Sequence, residues 1–446
     1  MNNEYCQLNN ITCSLNNSER IMRKNELEKY KKLISSHFKK KSKQENFIPG
    51  KSRIPLAIPP YGSDEVLESL ESLLSMNTTS GEKVSKFEKK FAHYIGIKHG
   101  IMVNSGSSAN LLALSILSHP SLKNRIKTND EIITPAVTWA TTVYPILNIN
   151  AIPKFVDVKL NDYTIDPEEI EDAINKKTKA IFVVHLLGNP CNMEKITKIA
   201  RKHDLWLIED SCEAHGAKFN GKHVGTFGDL STFSFFASHH ITTMEGGMLT
   251  TNNKLLNELG KSMRAFGWSR ELNSKKQLEK ENPNIDSRFL FINTGFNLRA
   301  TEIQGAFGIH QIDKLEKLVK LRIKNAKFWN KDLKIFSEFL MLSEDDINRK
   351  SYLFYPITVK KNKFFTKTEL VNELEKNGIE TRSIMAGNIT KQPVSKYFKF
   401  KKSGKLENSN YIHNNSFLIG NHHGIDDKQK KFISNIIKNF IKSKIN

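Results

Sequence analysis

Two adjacent histidines, His239 and His240, stand between a β-branched and aromatic stretch, Ser231-Thr-Phe-Ser-Phe-Phe236, and a glycine turn, Gly246-Gly247. The first stretch reads as a buried strand, and Met-Leu-Thr-Thr after the glycines begins another, so the pair occupies a loop at a strand end. An imidazole there can take up and release protons near neutral pH, which is what general acid–base chemistry asks of a side chain. Three further segments are suited to holding a reacting group. Asn104-Ser-Gly-Ser-Ser-Ala-Asn110 turns from a short strand through Gly106 and Ser107 into a helix start, where free backbone N–H groups and the positive dipole end suit a phosphate. Leu205-Trp-Leu-Ile-Glu-Asp210-Ser-Cys-Glu213 puts Asp210 at the carboxyl end of a buried strand, where α/β sheets present ligands, with Glu213 three residues on. Thr134-Pro-Ala-Val-Thr-Trp139 ends a strand in an aromatic face that suits a flat π-system.

Each of these has a plainer reading when taken alone. A glycine–serine turn before a helix is commonplace, Asp210 could cap the next turn, Glu213 could be a surface carboxylate, and Trp139 could be core. Either histidine could simply pack or hydrogen-bond.

The elements that must position these residues alternate from Gly100 onward. Strands are expected at Ile101–Asn104, Glu131–Thr134, Ile152–Val158, Ala180–His185, Leu205–Glu209 and Leu230–Phe236. Helices are expected from Gly106, over Trp139–Leu147, Pro167–Ile174 and Met193–His203, and over a long stretch from about Thr301 to Asp332. That alternation predicts an α/β fold, a mainly parallel sheet with helices on its faces. Before it, residues 1–51 form a basic extension with a helical pattern from about Glu19 to Phe38, closed by Ile-Pro-Gly50. A helix with Ser63 as its N-cap and another over Lys83–Tyr94 follow. The polar run Ser269–Ser287 reads as an exposed loop, and the chain after the long helix as a smaller α/β unit.

At 446 residues and 38% hydrophobic content the chain can bury one large and one smaller core. No run of about 18 apolar residues offers a membrane span, and the N-terminus shows no secretory pattern, so a cytoplasmic location is expected. The net charge of +21 comes from lysines dispersed among Glu, Asn and Ile, with no aromatic interleaving, which argues against nucleic acid as a partner. Cys6, Cys13, Cys191 and Cys212 have neither the number nor the spacing of a disulfide framework or a zinc site.

In combination these motifs resemble the DegT/DnrJ/EryC1/StrS sugar aminotransferases, fold-type I enzymes that use pyridoxal phosphate (PLP), over about residues 52–440. The resemblance implies the aspartate-aminotransferase-like fold, with a large cofactor-binding domain over 52–310 and a small C-terminal domain over 311–446. It implies that Gly106, Ser107 and Ser234 hold the cofactor phosphate, that Asp210 pairs with the pyridinium nitrogen, that Glu213 approaches the ring hydroxyl and that Trp139 stacks on the ring. Gly295-Phe-Asn297-Leu-Arg299 matches a signature whose asparagine, here Asn297, reaches the phosphate in the neighbouring subunit, implying an obligate homodimer with shared sites.

The family's lysine, five residues after the strand serine, forms the covalent link to PLP; counted from Ser234, that place holds His239. A histidine there resembles the small branch of nucleotide-linked 4-keto-6-deoxyhexose 3-dehydratases, which hold pyridoxamine phosphate (PMP) without a covalent bond. Ala386-Gly-Asn388-Ile-Thr-Lys-Gln392-Pro393 resembles that branch as well. The wording of the chain lies nearer the CDP-4-keto-6-deoxyglucose type, which adds an iron–sulfur cluster fed by a reductase, than the GDP-4-keto-6-deoxymannose type, which regenerates PMP with glutamate. Cys212 matches one cluster ligand, but 265–285 lacks the other three, so no cluster is expected, and the place of a reductase partner is open. The competing expectations are a sugar aminotransferase in which another group replaces the lysine, and a silent protein of this fold that binds a nucleotide sugar.

Overall fold

The computed structural model describes residues 28–39, 47–343 and 348–446. Its first element is helix α1 over 28–39; the earlier part of the expected N-terminal helix, from Glu19, lies outside the described residues, as do Cys6 and Cys13. Helices α2 (Ser63–Leu74) and α3 (Glu82–Ile95) lead into the sheet. Ser63 is the first helical residue and Gly62 the cap, with the Gly62 N–H donating to Glu65 Oε2 at 2.8 Å.

The strands are β1 (His99–Val103), β2 (Glu131–Pro135), β3 (Ile152–Val156), β4 (Thr178–Val184), β5 (Trp206–Asp210), a hairpin of β6 (Lys218–Phe219) and β7 (Lys222–His223), then β8 (Leu230–Ser234) and β9 (Gly247–Thr251). Between them lie α4 (Gly106–Leu117), α5 (Ala140–Asn148), α6 (Pro167–Ala173) and α7 (Met193–Lys202), and after β9 come α8 (Lys254–Arg264) and α9 (Lys275–Glu281). One eight-stranded sheet has the order β1-β9-β8-β5-β4-β2-β3-β13, in which β13 is the short Lys401–Lys402 and only β9 runs against the rest. A central strand such as β4 is apolar from Ala180 to Val184, Ala-Ile-Phe-Val-Val, because helices cover both faces of the sheet. The expected exposed loop over Ser269–Ser287 contains α9. Its Lys-Lys-Gln-Leu-Glu-Lys-Glu are good helix formers and none is buried, so propensity rather than packing accounts for it.

Helix α10 (Glu302–Leu333) starts in a capping box between Thr301 and Gln304 and crosses from this sheet to a second core. Ile309, Ile312 and Leu315 pack with Phe87 and Phe233, whereas Ala326, Trp329 and Leu333 pack with Tyr355 and Phe417. Glu302 accepts the N–H groups of Gly81, Lys83 and Val84, at 2.8, 2.9 and 3.0 Å, and so caps α3 from outside. The second core lies on the antiparallel sheet β10-β11-β14-β12, made of β10 (Leu340–Leu342), β11 (Tyr355–Val359), β12 (Thr381–Ser383) and β14 (Ser416–Ile419). Helices α11 (Lys367–Lys376), α12 (Glu407–Asn415) and α13 (Asp427–Ile445) accompany it. Several connections bind it to the rest of the molecule. Asp157, just past β3, accepts the Asn408 and Ser409 N–H groups of α12 at 2.8 Å each, and Ile54 bridges to Ile379 and joins the second core.

Candidate active site

The carboxyl ends of β1, β2, β5 and β8 converge on one cavity of about 330 Å³. Of the residues singled out from the sequence, Gly106, Ser107, Trp139, Asp210, Glu213, Ser234 and His239 line it; Asn297 does not, and is exposed elsewhere with its Oδ1 accepting from Arg299 Nε at 3.1 Å.

At one end stands the first turn of α4. Ser105 caps it by accepting the Ser108 N–H at 3.1 Å, leaving the Gly106 and Ser107 N–H groups without helical partners. Glycine is required at 106 by proximity: a Cβ there would abut Cβ of Ser234 and lie 2.9 Å from its hydroxyl. Gly247, at the start of β9, likewise passes so near the Ser105 carbonyl that a side chain has no room. The result is a cradle of backbone N–H groups and the Ser107 and Ser234 hydroxyls around a helix N-terminus, a donor set that fits a phosphate.

Across the cavity floor, Asp210 Oδ2 accepts from Asn110 Nδ2 and Thr142 Oγ1, both at 2.9 Å, and Oδ1 accepts the Cys212 N–H at 3.1 Å. Thr232 donates to Asn110 Oδ1 at 2.6 Å and Thr138 to Thr142 at 2.9 Å, so the carboxylate is oriented by a buried network two bonds deep. Glu209, one residue earlier on the opposite face of β5, accepts from Gly225, Phe227 and Gly228 N–H groups at 2.7, 2.7 and 2.6 Å and bonds His185 at 3.0 Å. The strand thus aims Asp210 at the cavity while its neighbour anchors the loop behind. Glu213 is buried, accepts the Leu187 N–H at 2.8 Å and is pushed by burial up to about 8, which makes it a neutral acid able to donate a hydrogen bond into the cavity near pH 7. Trp139 is 53% exposed, so its indole is a free face at the mouth and not core.

His239 forms part of the wall. Its backbone N–H donates to the Phe236 carbonyl at 3.0 Å, its Nδ1 is buried without a protein partner, and Nε2 is left for the cavity. Burial, with the Arg322 guanidinium adding to it, pulls the imidazole down to about 4, so it stands neutral at pH 7 and has a lone pair to offer. His240 is fully buried and bonds the Ser351 carbonyl through Nε2 at 3.0 Å, a packing role. Among the described residues, no lysine lines the cavity. The Ala386–Gln392 segment packs beside it, the Ile389 N–H donating at 2.9 Å to Ala136 in the loop that carries Trp139.

Sequence reasoning assigned no role to Asn110, Thr142, Phe236, Ser238, Glu245 or Arg382, all of which line the cavity. Only Asn110 carried a signal, as an amide on an otherwise apolar helix. Cys191 is buried and Cys212 half-buried at the cavity, and burial holds both thiols well above the ordinary range. Among the described residues, no group of three or more His, Cys, Asp or Glu is placed to hold a metal ion, and no helix is long and apolar enough to cross a membrane.

Set beside known proteins, the chain is 37% identical over 389 residues to the GDP-4-keto-6-deoxy-D-mannose 3-dehydratase of Yersinia pseudotuberculosis, covering 86% of this chain and 98% of that one. It is 35% identical over 427 residues to lipopolysaccharide biosynthesis protein RfbH of Salmonella typhimurium, covering 93% and 97%. Among solved structures, a GDP-4-keto-6-deoxymannose-3-dehydratase with a trapped PLP–glutamate geminal diamine superposes with a TM-score of 0.81 at 36% identity, covering 86% of this chain and 99% of that one. Residues 61–438 match the DegT/DnrJ/EryC1/StrS aminotransferase family. With a phosphate cradle, an oriented carboxylate and a histidine at a cavity of this fold, the chain belongs to the DegT/DnrJ/EryC1/StrS aminotransferase family.

Proposed function

We propose that this protein is a dehydratase that uses PMP to remove the 3-hydroxyl from a nucleotide-linked 4-keto-6-deoxyhexose, in the supply of deoxysugars for lipopolysaccharide. The observation that carries this reading is the histidine at the position of the lysine, in a cavity whose wall has no lysine to replace it. Relatives named as 3-dehydratases of GDP-linked and dTDP-linked keto-deoxysugars support it.

The residues present fit the cofactor. Gly106, Ser107 and Ser234 would hold its phosphate, Asp210 its ring nitrogen, Glu213 its ring hydroxyl and Trp139 its face. Bound there, PMP supplies an amine for the 4-keto carbon and a ring that takes up electrons. Asp210, held by Asn110 and Thr142, keeps the ring nitrogen protonated through a charge-assisted bond. His239, neutral at pH 7 and with Nε2 on the cavity side, would be the group that takes up and returns protons at the bound cofactor and sugar. A lysine would instead tie the cofactor down as its aldehyde form; a histidine leaves the amine form free. Asn297, exposed and outside its own cavity, would serve the cavity of a second copy, so the working unit is a homodimer.

The test is incubation of enzyme and PMP with 4-keto-6-deoxyhexoses linked to CDP, GDP and dTDP, reading the released sugar by mass for the loss of one oxygen, with PMP leaving as PLP and ammonia. His239→Asn is expected to lose about 10²-fold or more in dehydration while still binding PMP. Near wild-type turnover in that variant rejects the role, and a borohydride-reducible link between protein and PLP in the unaltered enzyme rejects the function.

A further inference from the structure

Behind His239 lies a second imidazole that the reaction as drawn leaves unused. His215 is 1% exposed, and neither of its ring nitrogens has a hydrogen-bond partner in the protein. The ring sits among Phe91, Phe233 and Phe235, at centroid distances of 6.3, 5.6 and 5.5 Å. Such an aromatic cage is a costly place for two unpaired nitrogens, which a phenylalanine would fill without that loss. The same ring lies 6.3 Å from that of His239 and 5.7 Å from that of His240. His239 has the complementary defect, an inward Nδ1 that is buried and unpartnered. At 6.3 Å between centroids a direct bond between nitrogens is out of reach, and the separation is one that a single water bridges where the two nitrogens face each other.

We propose that His215 is a positioning residue for His239: the two rings share one bridging water, which fixes the His239 tautomer with Nε2 open to the cavity and spreads onto His215 the positive charge that arises when Nε2 takes a proton. The inference rests on His239 being the base. Burial, followed by the charges of His239 and Arg322, holds His215 well below the ordinary imidazole range, so it enters neutral and with a lone pair to accept. The charged groups around the pair are Arg322 on α10, which disfavours an imidazolium, and across the cavity Asp210, Glu213, Glu245 and Arg382. His240 also faces His215, but its Nε2 is committed to Ser351. No carboxylate contributes to the His215 environment, so its ring stands beside the base as a neutral acceptor.

His215→Phe fills the cage and removes the acceptor; His215→Gln keeps one. With thermal melting confirming that each variant folds, His215→Phe is expected to lower kcat about 10-fold or more at unchanged KM for the sugar nucleotide, with partial recovery in His215→Gln. Because His215 stabilises the protonated form of His239, its loss should move the acid limb of the kcat profile to lower pH. In cofactor-free enzyme labelled with ¹⁵N-histidine, the His239 ring shifts should change in His215→Phe, a readout that does not depend on turnover. Unmoved His239 shifts and an unmoved pH profile in a folded His215→Phe or His215→Leu protein, neither of which keeps an acceptor, overturn the proposal. Activity retained in His239→Asn instead removes the base reading itself, whereas activity lost in His239→Asn and kept in His215→Phe sinks only the role of His215.

Discussion

Asn110, on the buried face of α4, donates at 2.9 Å to Asp210 at the end of β5 and accepts at 2.6 Å from Thr232 on β8. One amide therefore ties the helix start at Gly106 to the Asp210 carboxylate and to the strand that leads to His239. On the proposed function, the same side chain would position the groups at both ends of the cofactor.

Asn110→Ala is accordingly expected to act on binding and folding together. It takes one partner from a buried carboxylate and one from a buried hydroxyl, a loss on the order of 1–3 kcal/mol. Denaturant unfolding should show that loss, and PMP affinity measured by fluorescence or calorimetry should fall, because Asp210 is left with Thr142 and the Cys212 N–H to hold it. Unchanged PMP affinity in a folded Asn110→Ala protein would remove the orienting role.

The convergence itself was legible beforehand, because it rests on local signals. A strand, a glycine and a helix start at Gly106, an acid at the end of an apolar run at Asp210, and a histidine between a strand and a glycine turn each announce themselves within a dozen residues. What the sequence hid is what the fold brings from afar. Asn110 and Thr232 meet Asp210 only because α4 lies across β5 and β8, and Arg382 and Met385 reach the cavity only because the second sheet closes over it. His215 drew no reading from the sequence, because its cage of Phe91, Phe233 and Phe235 is assembled by a helix and a strand from elsewhere in the chain. The helix α9 inside Ser269–Ser287 was missed for the opposite reason: with no apolar face to bury, it has no periodicity to read.

Glu213 gives the site a pH signature of its own. Burial raises its carboxyl from an ordinary value of 4.5 to about 8, against the opposing Leu187 hydrogen bond. The folded protein then holds a proton that the unfolded chain releases, so this group's contribution to stability is full below pH 4.5 and is lost as pH rises through about 8. In cofactor-free enzyme Glu213→Gln should therefore flatten the fall in melting temperature across pH 5 to pH 8 and gain on the unaltered protein at the upper end. Parallel melting curves for the two proteins across that window would show Glu213 to be ionised throughout.

Asn297 offers a test of shared sites that no single-chain measurement can give. It is exposed, bonded only to Arg299 Nε in the contacts seen, and absent from the cavity of its own chain. If it completes the site of a second copy, Asn297→Ala and His239→Asn are each nearly inactive alone, since every site in either homodimer carries the defect. Mixed after reversible dissociation, they form hybrids in which one site carries both substitutions and the other carries neither. Random pairing of equal amounts makes about half the dimers hybrid, so about a quarter of all sites are restored and activity should return to about that fraction of the unaltered enzyme. Failure to recover activity, with hybrids confirmed by native mass spectrometry, would confine each site to one chain. Asn297 would then act only through Arg299, whose guanidinium lies over the Phe266 ring at 4.9 Å.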